Sequence, residues 1–424
     1  MENLDTKPLH IMLVEPRGSG GMMHYAYQLC TALANQNAVV TLVTSNQYEM
    51  DSFPHNFTVR KQMKLWSPTE SGDFKFSGKK SNKTFGKVLR MARRITRGSR
   101  FIKEWIKLTN YILKVRPDIV QFGSIEFPFE AFFLHYLKKR GLVLTQICHE
   151  FESRERSKNI VIAVSNQLYR WVFKAFDIMF FHAENNRERF RKLFKHVQAK
   201  QYIIQHGNEQ LFLAVRSKDI TAEVLKKRYG IATNAPIVLF FGNLMPSKGL
   251  HYLIQAFAEV YRQQSSARLL IVGRPSKLLN LDDLLREIDQ LEISQAAVID
   301  ASYLAMEEVA PLMDLSTVVV YPYINSTQSG ALQVAYTFGK PVIATTAGGL
   351  PDAVDHGRSG LLVPPADAHQ LAVAILELIN NPPKLREMGE YAKHLSNTKF
   401  SWDTISHEVL TIYEAFLGSK AHNS

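Results

Sequence analysis

His10-Ile11-Met12-Leu13-Val14, then Glu15-Pro16-Arg17-Gly18-Ser19-Gly20-Gly21, then Tyr25, Leu29, Cys30 and Leu33 form the stretch on which the reading of the fold turns. The first five residues are apolar without alternation, as in a strand covered on both faces. The four later apolar residues return at the helical period. The order is therefore strand, glycine-rich loop, helix. That unit builds a parallel sheet with helices on its faces.

The same grammar continues along the chain. Ala38–Thr44, Asp118–Phe122, Leu142–Ile147, Asp177–Phe181 and Tyr202–Ile204 read as further buried strands, with helical patterns between most of them. A second series begins near Pro236, with strands at Ile237–Phe241, Arg268–Val272, Ala297–Asp300, Val318–Tyr321 and Pro341–Ala344. The segment from Glu209 to Asn234 has less strand character and reads as the connection plus one short helix. The expectation is an α/β chain with two doubly wound domains facing a central cleft, 1–208 and 209–399. Ligands of such sheets lie beyond the carboxyl ends of the strands.

With 424 residues, 46% of them hydrophobic and 21% charged, the chain can fill two cores. Its two cysteines, Cys30 and Cys148, do not make a disulfide framework, which fits a reducing compartment. The first residues lack the basic and apolar regions of a secretory signal, and no run of about 18 apolar residues suggests a membrane span. The expected location is cytoplasmic.

The net charge of +12 is concentrated. Lys79 to Lys107 holds eleven lysines and arginines and a single acid, Glu104. At 100° per residue, Val88, Leu89, Ala92 and Ile95 gather on one side, while Lys83, Lys87, Arg90, Arg93, Arg94 and Arg97 occupy the other, up to an interruption at Gly98-Ser99. A cationic amphipathic helix of this kind suits peripheral docking on an anionic membrane surface, here the inner face of the membrane. The alternatives are a core-packed helix with a basic outer face and a nucleic-acid surface. No RNA-reading strand motif accompanies the helix, and nucleic acid is not an expected partner.

Four ordered segments of the second half carry a resemblance. They are Phe241-Gly242-Asn243-Leu244-Met245-Pro246-Ser247-Lys248-Gly249-Leu250, Leu270–Gly273, Tyr321-Pro322 through Phe338-Gly339-Lys340-Pro341-Val342-Ile343-Ala344-Thr345, and Gly348-Gly349-Leu350-Pro351 through Gly360–Val363. Gly20-Gly21, His149-Glu150, Gln205-His206-Gly207-Asn208 and Phe400-Ser401-Trp402 add weaker matches. Together they resemble the retaining glycosyltransferases of family 4, with two Rossmann-like domains in the GT-B fold, and the resemblance implies that 400–424 crosses back onto the first domain.

The resemblance implies a nucleotide-diphosphate sugar as donor substrate, a saccharide or lipid-linked acceptor, and a role in cell-surface polysaccharide or glycolipid synthesis, with no cofactor and no metal. It places His149 beside the reacting sugar and Lys248 at the diphosphate. It puts Gly20, Gly21, Gly242, Asn243, Gly273, Ser326, Thr327, Gln328, Ser329 and Gly330 around the donor. The chain also departs from the pattern. Most members carry two glutamates eight positions apart, one at the donor sugar and one at the ribose; here those positions are Ser326 and Val334. An arginine common after the first glycine is Asn243.

The residue types suit the chemistry. Breaking a sugar–diphosphate bond builds negative charge on the leaving phosphate, which fixed donors can stabilise in place of a metal. A lysine after a buried strand reaches phosphate as a point charge. Ser329-Gly330 precedes a helix start, where free N–H groups favour anions. Ser326, Thr327 and Gln328 can hydrogen-bond sugar hydroxyls without a carboxylate's charge. Gly18-x-Gly20-x-x-Met23 lacks the third glycine of a dinucleotide fingerprint. No histidine follows His149 at the spacing of a zinc helix, and Asp282-Asp283 reads as a solvated helix face. Two other readings stay open: a GT-B protein that binds sugar nucleotides without catalysis, and a nucleotide-sugar epimerase.

Overall fold

The computed structural model describes residues 7–63, 83–149, 151 and 167–422, and for 83–97 the backbone alone. Two all-parallel sheets organise it. The first contains β1 (His10–Glu15), β2 (Val39–Ser45), β3 (Thr58–Met63), β4 (Ile119–Phe122), β5 (Val143–Ile147), β6 (Ile178–Phe181) and β7 (Lys200–Ile203), in the order β3-β2-β1-β4-β5-β6-β7. The second contains β8 (Ile237–Phe241), β9 (Arg268–Val272), β10 (Ala297–Asp300), β11 (Val318–Tyr321), β12 (Val342–Thr345) and β13 (Gly360–Val363), in the order β10-β9-β8-β11-β12-β13.

Each order reverses once, between β1 and β4 and between β8 and β11. At such a reversal the neighbouring connections leave toward opposite faces and open a crevice above the strand ends. The apolar runs explain the sheets directly. β1 is buried from Ile11 onward, and β4, β5, β6, β11 and β12 are buried throughout.

The first sheet is covered on both faces. Helix α1 (Gly21–Asn35) supplies Tyr25, Leu29, Cys30 and Leu33 to one core, as its period requires. Helices α2 (Lys83–Val115) and α3 (Glu130–Lys139) supply Phe101, Trp105, Leu108, Ile112 and Leu134 to the other. The terminal helix, Trp402–His422, returns to the α1 side and buries Trp402, Ile405, Val409 and Tyr413 there. Burial of large side chains of this kind contributes roughly 1.5–3 kcal/mol each. The Tyr413 hydroxyl donates to Gln121 on β4 and lies 3.0 Å from Thr145 Oγ1 on β5, so polar strand residues also receive this helix.

Two expectations need correction, and one strand was not expected. The basic helix is not interrupted at Gly98-Ser99: α2 runs unbroken from Lys83 to Val115. The cost of one glycine, about 1 kcal/mol, is outweighed by the packing of Phe101, Trp105, Leu108 and Ile112 beyond it. The 209–234 connection holds two short helices, Leu211–Ala214 and Ala222–Arg228, the latter capped by Thr221 Oγ1 accepting from Val224 N–H. β3 was missed because Thr-Val-Arg-Lys-Gln-Met is an edge strand that shows polar residues to solvent. The side chains of Lys83, Lys87, Arg90, Arg93, Arg94 and Arg97 lie outside the described residues, as does Glu150.

Candidate functional site

One wall of the crevice is built at the carboxyl ends of the first sheet. β1 ends in the buried Glu15, and the chain then turns through Gly18 to Gly20. A Cβ on Gly18 would stand 1.6 Å from the Gln47 carbonyl oxygen, so the loop closes only around glycine. Gly20 has φ 81° and donates its N–H to Glu49 Oε2 at 2.7 Å, while Gly21 has open space where a Cβ would be. His149 follows β5, His182 follows β6, and His206 lies just beyond β7. All three are buried around the Tyr25 ring, with centroids 4.7, 5.6 and 5.0 Å away. Trp402 packs on the same ring at 4.9 Å. Its indole lies where a Cβ on Gly207 would clash at 2.2 Å, and it donates to the Asn208 carbonyl at 2.8 Å.

The facing wall comes from the second sheet. After β8, Gly242 takes φ 140°, and its carbonyl oxygen lies 1.8 Å from where a Cβ on Gly273 would be. These two glycines let the β8 and β9 loops touch. The chain then enters a 3₁₀ turn, Pro246–Lys248, closed by Gly249 at φ 67°. The buried Lys248 places Nζ 3.5 Å from the centroid of the Tyr323 ring. The Tyr323 hydroxyl lies 3.0 Å from Ser329 Oγ. Ser329 caps the Gly330–Thr337 helix by accepting from Leu332 N–H. Ala331 Cβ lies 3.6 Å from the Cβ position of Gly242. Lysine, glycine loop and helix N-terminus thus converge on one end of the sheet.

The walls meet through the Ser326–Gly330 loop. The Thr327 hydroxyl donates to the His149 carbonyl at 2.7 Å, and Asn186 Nδ2 donates to the Thr327 carbonyl. Gly348, at φ 58°, leaves room for the Ser326 carbonyl, and a Cβ on Gly349 would meet both the Thr327 carbonyl and Ala183. A Cβ on Gly330 would stand 3.4 Å from His206 Nε2 and 3.9 Å from Glu209 Oε1. Gln28 donates to Glu209 at 3.0 Å, and the Tyr303 hydroxyl donates to Glu49 at 3.0 Å.

Burial sets the charge states. It pushes the Glu15 carboxyl up to about 7, against hydrogen bonds from Arg17 N–H and the Ser124 hydroxyl. It likewise pushes Glu209 up to about 7, opposed by His24 and Gln28. Burial also acts on Glu49, but His24, the Gly20 N–H and Tyr303 outweigh it and hold that carboxyl at about 2. Desolvation lowers all three histidines: His149 well below the usual range, His182 to about 3 and His206 to about 4. At neutral pH this wall therefore presents uncharged imidazoles, facing an ammonium and a helix N-terminus. Such an arrangement can hold a sugar against one side and a diphosphate against the other. Among the described residues no cluster of three or more His, Cys, Asp or Glu side chains is arranged to hold a metal ion.

The structure brings together Gly20, His149, Gly242, Lys248, Gly273, Ser326, Thr327, Gln328, Ser329 and Gly330 around the crevice. Gly21 opens α1, and Asn243 is exposed beside Gly242. Of the three loop residues offered to the sugar, two are engaged within the protein. Ser326 Oγ donates to the Gln328 carbonyl at 2.8 Å, and Thr327 reaches His149. Gln328 keeps a buried Oε1 with no hydrogen-bond partner among the described residues. Val334, at the position of the missing second glutamate, is buried in the core.

Sequence reasoning missed Tyr323, Glu49, Glu209 and His182. For His182 a signal existed: like His149 it follows the carboxyl end of a buried apolar run. Glu49 and Glu209 become neighbours of the crevice only through contacts 29 and 181 positions away in the chain, to Gly20 and Gln28.

Known proteins resemble the chain in sequence and in fold. Residues 235–381 match the family model described as Glycosyl transferases group 1. The chain is 32% identical over 197 residues to the D-inositol 3-phosphate glycosyltransferase of Corynebacterium urealyticum, covering 46% of each protein. It thus spans about half the length of the curated relatives it matches. Among solved structures it resembles the sucrose-phosphate synthase of Thermosynechococcus elongatus (TM-score 0.71, 18% identity, 97% of this chain and 100% of that one). It also resembles Anabaena Alr3699/HepE in complex with UDP-glucose (TM-score 0.69, 17% identity, 96% of this chain and 100% of that one). The shared architecture is the GT-B fold, two parallel-sheet Rossmann-like domains with a C-terminal helix.

Proposed function

We propose that this chain, whose 235–381 segment matches the group 1 glycosyl transferases and whose fold is GT-B, transfers a hexose from a nucleotide-diphosphate sugar to a saccharide or lipid-linked acceptor. The observation that carries the reading is the convergence of Lys248, Tyr323 and the N-terminus of the Gly330–Thr337 helix opposite the neutral His149. The bond from the sugar C1 to the diphosphate oxygen breaks, and a bond from C1 to the acceptor oxygen forms on the same face. The acceptor's proton leaves with the departing phosphate. Lys248 and the helix amides receive the charge that develops there, the task a metal would otherwise perform. Gln328, whose buried Oε1 has no partner among the described residues, accepts a hydrogen bond from a sugar hydroxyl. UDP-sugars are the first donors to try, because the Anabaena protein of the same fold binds UDP-glucose.

Attachment to an anionic membrane belongs to the same proposal. Ile102 and Ile106 on α2 and Phe132 and Tyr136 on α3 are exposed, and Phe132 lies edge-on against the partly exposed Trp171 at 4.5 Å. Exposed aromatic and aliphatic side chains beside a basic helix suit a bilayer interface. Among the described residues no helix is long and apolar enough to cross a membrane.

The test incubates the full chain with nucleotide-diphosphate sugars and a panel of saccharide and lipid-linked acceptors. Acceptor-dependent release of nucleoside diphosphate is the expected result. A second reading, binding without transfer, is favoured by the internal hydrogen bonds of Ser326 and Thr327 in the donor loop. It predicts nucleotide binding with no release under any condition. Sugar conversion without an acceptor would point instead to an epimerase.

A further inference from the structure

Two of the three buried imidazoles, His182 and His149, are joined in a directed chain. His182 Nδ1 lies 3.1 Å from the Ile204 carbonyl oxygen. A carbonyl only accepts, so His182 carries its hydrogen on Nδ1. His182 Nε2 lies 3.1 Å from His149 Nδ1. In a neutral ring with hydrogen on Nδ1, Nε2 is a bare acceptor, so His149 must donate from its own Nδ1. That leaves His149 Nε2 as a lone pair, buried and without a hydrogen-bond partner among the described residues. The orientation runs one way, from a backbone carbonyl at the end of the first sheet to a single acceptor at the crevice.

We propose that His182 is a positioning residue that fixes His149 in the Nδ1–H tautomer, so that His149 Nε2 offers the bound sugar a hydrogen-bond acceptor and nothing else. The inference rests on the transferase reading for what fills the site, but the tautomer itself does not depend on it. Tyr25, edge-on to all three rings, and Trp402 behind it hold the set in place. Their apolar faces keep water from supplying an alternative donor. Burial keeps the rings neutral, since a charge on either ring of the His149–His182 pair would add a second donor and break the direction of the chain. A sugar hydroxyl can donate to the bare nitrogen. A carboxylate, which brings only lone pairs, is disfavoured there.

The experiment has two arms on the full chain. In the first, ¹⁵N-imidazole spectra of the histidine-labelled protein are recorded without substrate and assigned with His149→Gln and His182→Gln. His149 and His182 should each be protonated at Nδ1 and bare at Nε2. Hydrogen on His149 Nε2 would overturn the proposal.

In the second arm, His182→Phe keeps a ring but removes the acceptor. It should lower kcat about 10- to 100-fold, the usual loss when a group that orients a site residue is removed. The thermal shifts produced by ADP, GDP and UDP should be unchanged. His182→Gln, whose amide oxygen can accept from His149, should recover most of the rate. Full kcat in His182→Phe defeats the tautomer lock and leaves the transferase reading intact. The expected tautomer in a protein that transfers no sugar defeats the transferase reading and leaves the lock. Should His182→Phe not fold, the wild-type spectrum and the His182→Gln rate still decide the matter.

Discussion

Lys248 Nζ sits 3.5 Å from the centroid of the Tyr323 ring, and Tyr323 in turn reaches the Ser329 cap of the Gly330–Thr337 helix at 3.0 Å. The ammonium is thereby held over the ring whose hydroxyl meets the helix cap. A long lysine held this way has less rotamer freedom to lose on meeting an anion. Lys248→Ala should lower turnover by about 10²-fold or more, as removal of a principal charge stabiliser does. Tyr323→Leu removes a contact worth about 0.5–2 kcal/mol and should weaken nucleoside diphosphate binding several-fold while retaining turnover at saturation. Steady-state kinetics on both variants separates these effects; near-normal turnover in Lys248→Ala would remove the lysine from the mechanism.

Gln328 differs from its neighbours in having an uncommitted buried oxygen. Gln328→Ala should raise the KM for the sugar donor up to about tenfold, one net hydrogen bond, with UDP, GDP and ADP binding unaltered. Ser326→Ala instead loses a hydrogen bond inside the loop and should show chiefly as a lower thermal midpoint. Comparing donor KM and unfolding midpoints for the pair distinguishes recognition from loop stability.

Glu209 gives a pH dependence of definite sign. Its folded value is raised to about 7 from an ordinary 4.5. Between those values the unfolded chain releases a proton that the folded one retains, so folding loses stability as pH rises through the window. Glu209→Gln abolishes this. The variant's midpoint relative to the wild type should therefore increase from about pH 4.5 to 7 and then level off. A flat difference would mean that the carboxyl is not held protonated by burial. His182 and His206, lowered to about 3 and 4, act in the other direction and cost stability as pH falls below 6.5.

Replacing Arg90, Arg93, Arg94 and Arg97 with glutamine removes four cations, each worth about 1 kcal/mol near an anionic surface. Co-sedimentation with vesicles containing phosphatidylserine should fall at least tenfold and become less sensitive to salt. Unchanged binding would assign the basic helix to a purely structural face.

A chelator provides the complementary control on the leaving group. With Lys248 and helix amides stabilising the charge, activity should survive EDTA. A strict requirement for Mg²⁺ would contradict that assignment.

The sheets were legible because their strands are buried on both faces, and uninterrupted runs such as Ile237–Phe241 need no partner to be recognised. β3 was not, because an edge strand can be polar, and neither was the continuity of α2 across Gly98-Ser99, where tertiary packing overrides local propensity. The site divides along the same line. Lys248, His149 and the Ser329-Gly330 helix start follow strand ends, and the resemblance to family 4, not their position alone, singled them out. Glu49, Glu209 and Tyr323 owe their place to contacts between distant segments. Ser326 and Thr327 were named as sugar contacts, yet their hydroxyls bond within the protein. Side-chain commitments of that kind leave no trace in spacing.

The most direct measurement is thermal unfolding of the full chain against UDP, GDP, ADP and their sugars, with Lys248→Ala alongside. A ligand that binds the folded state raises the midpoint in proportion to RT ln(1 + [L]/Kd). The account predicts a rise with one base, about 2.7 kcal/mol of stabilisation at a hundredfold excess over Kd, that is largely lost in Lys248→Ala. No rise with any nucleotide at millimolar concentration, or an equal rise in wild type and Lys248→Ala, would contradict a diphosphate site at this end of the second sheet.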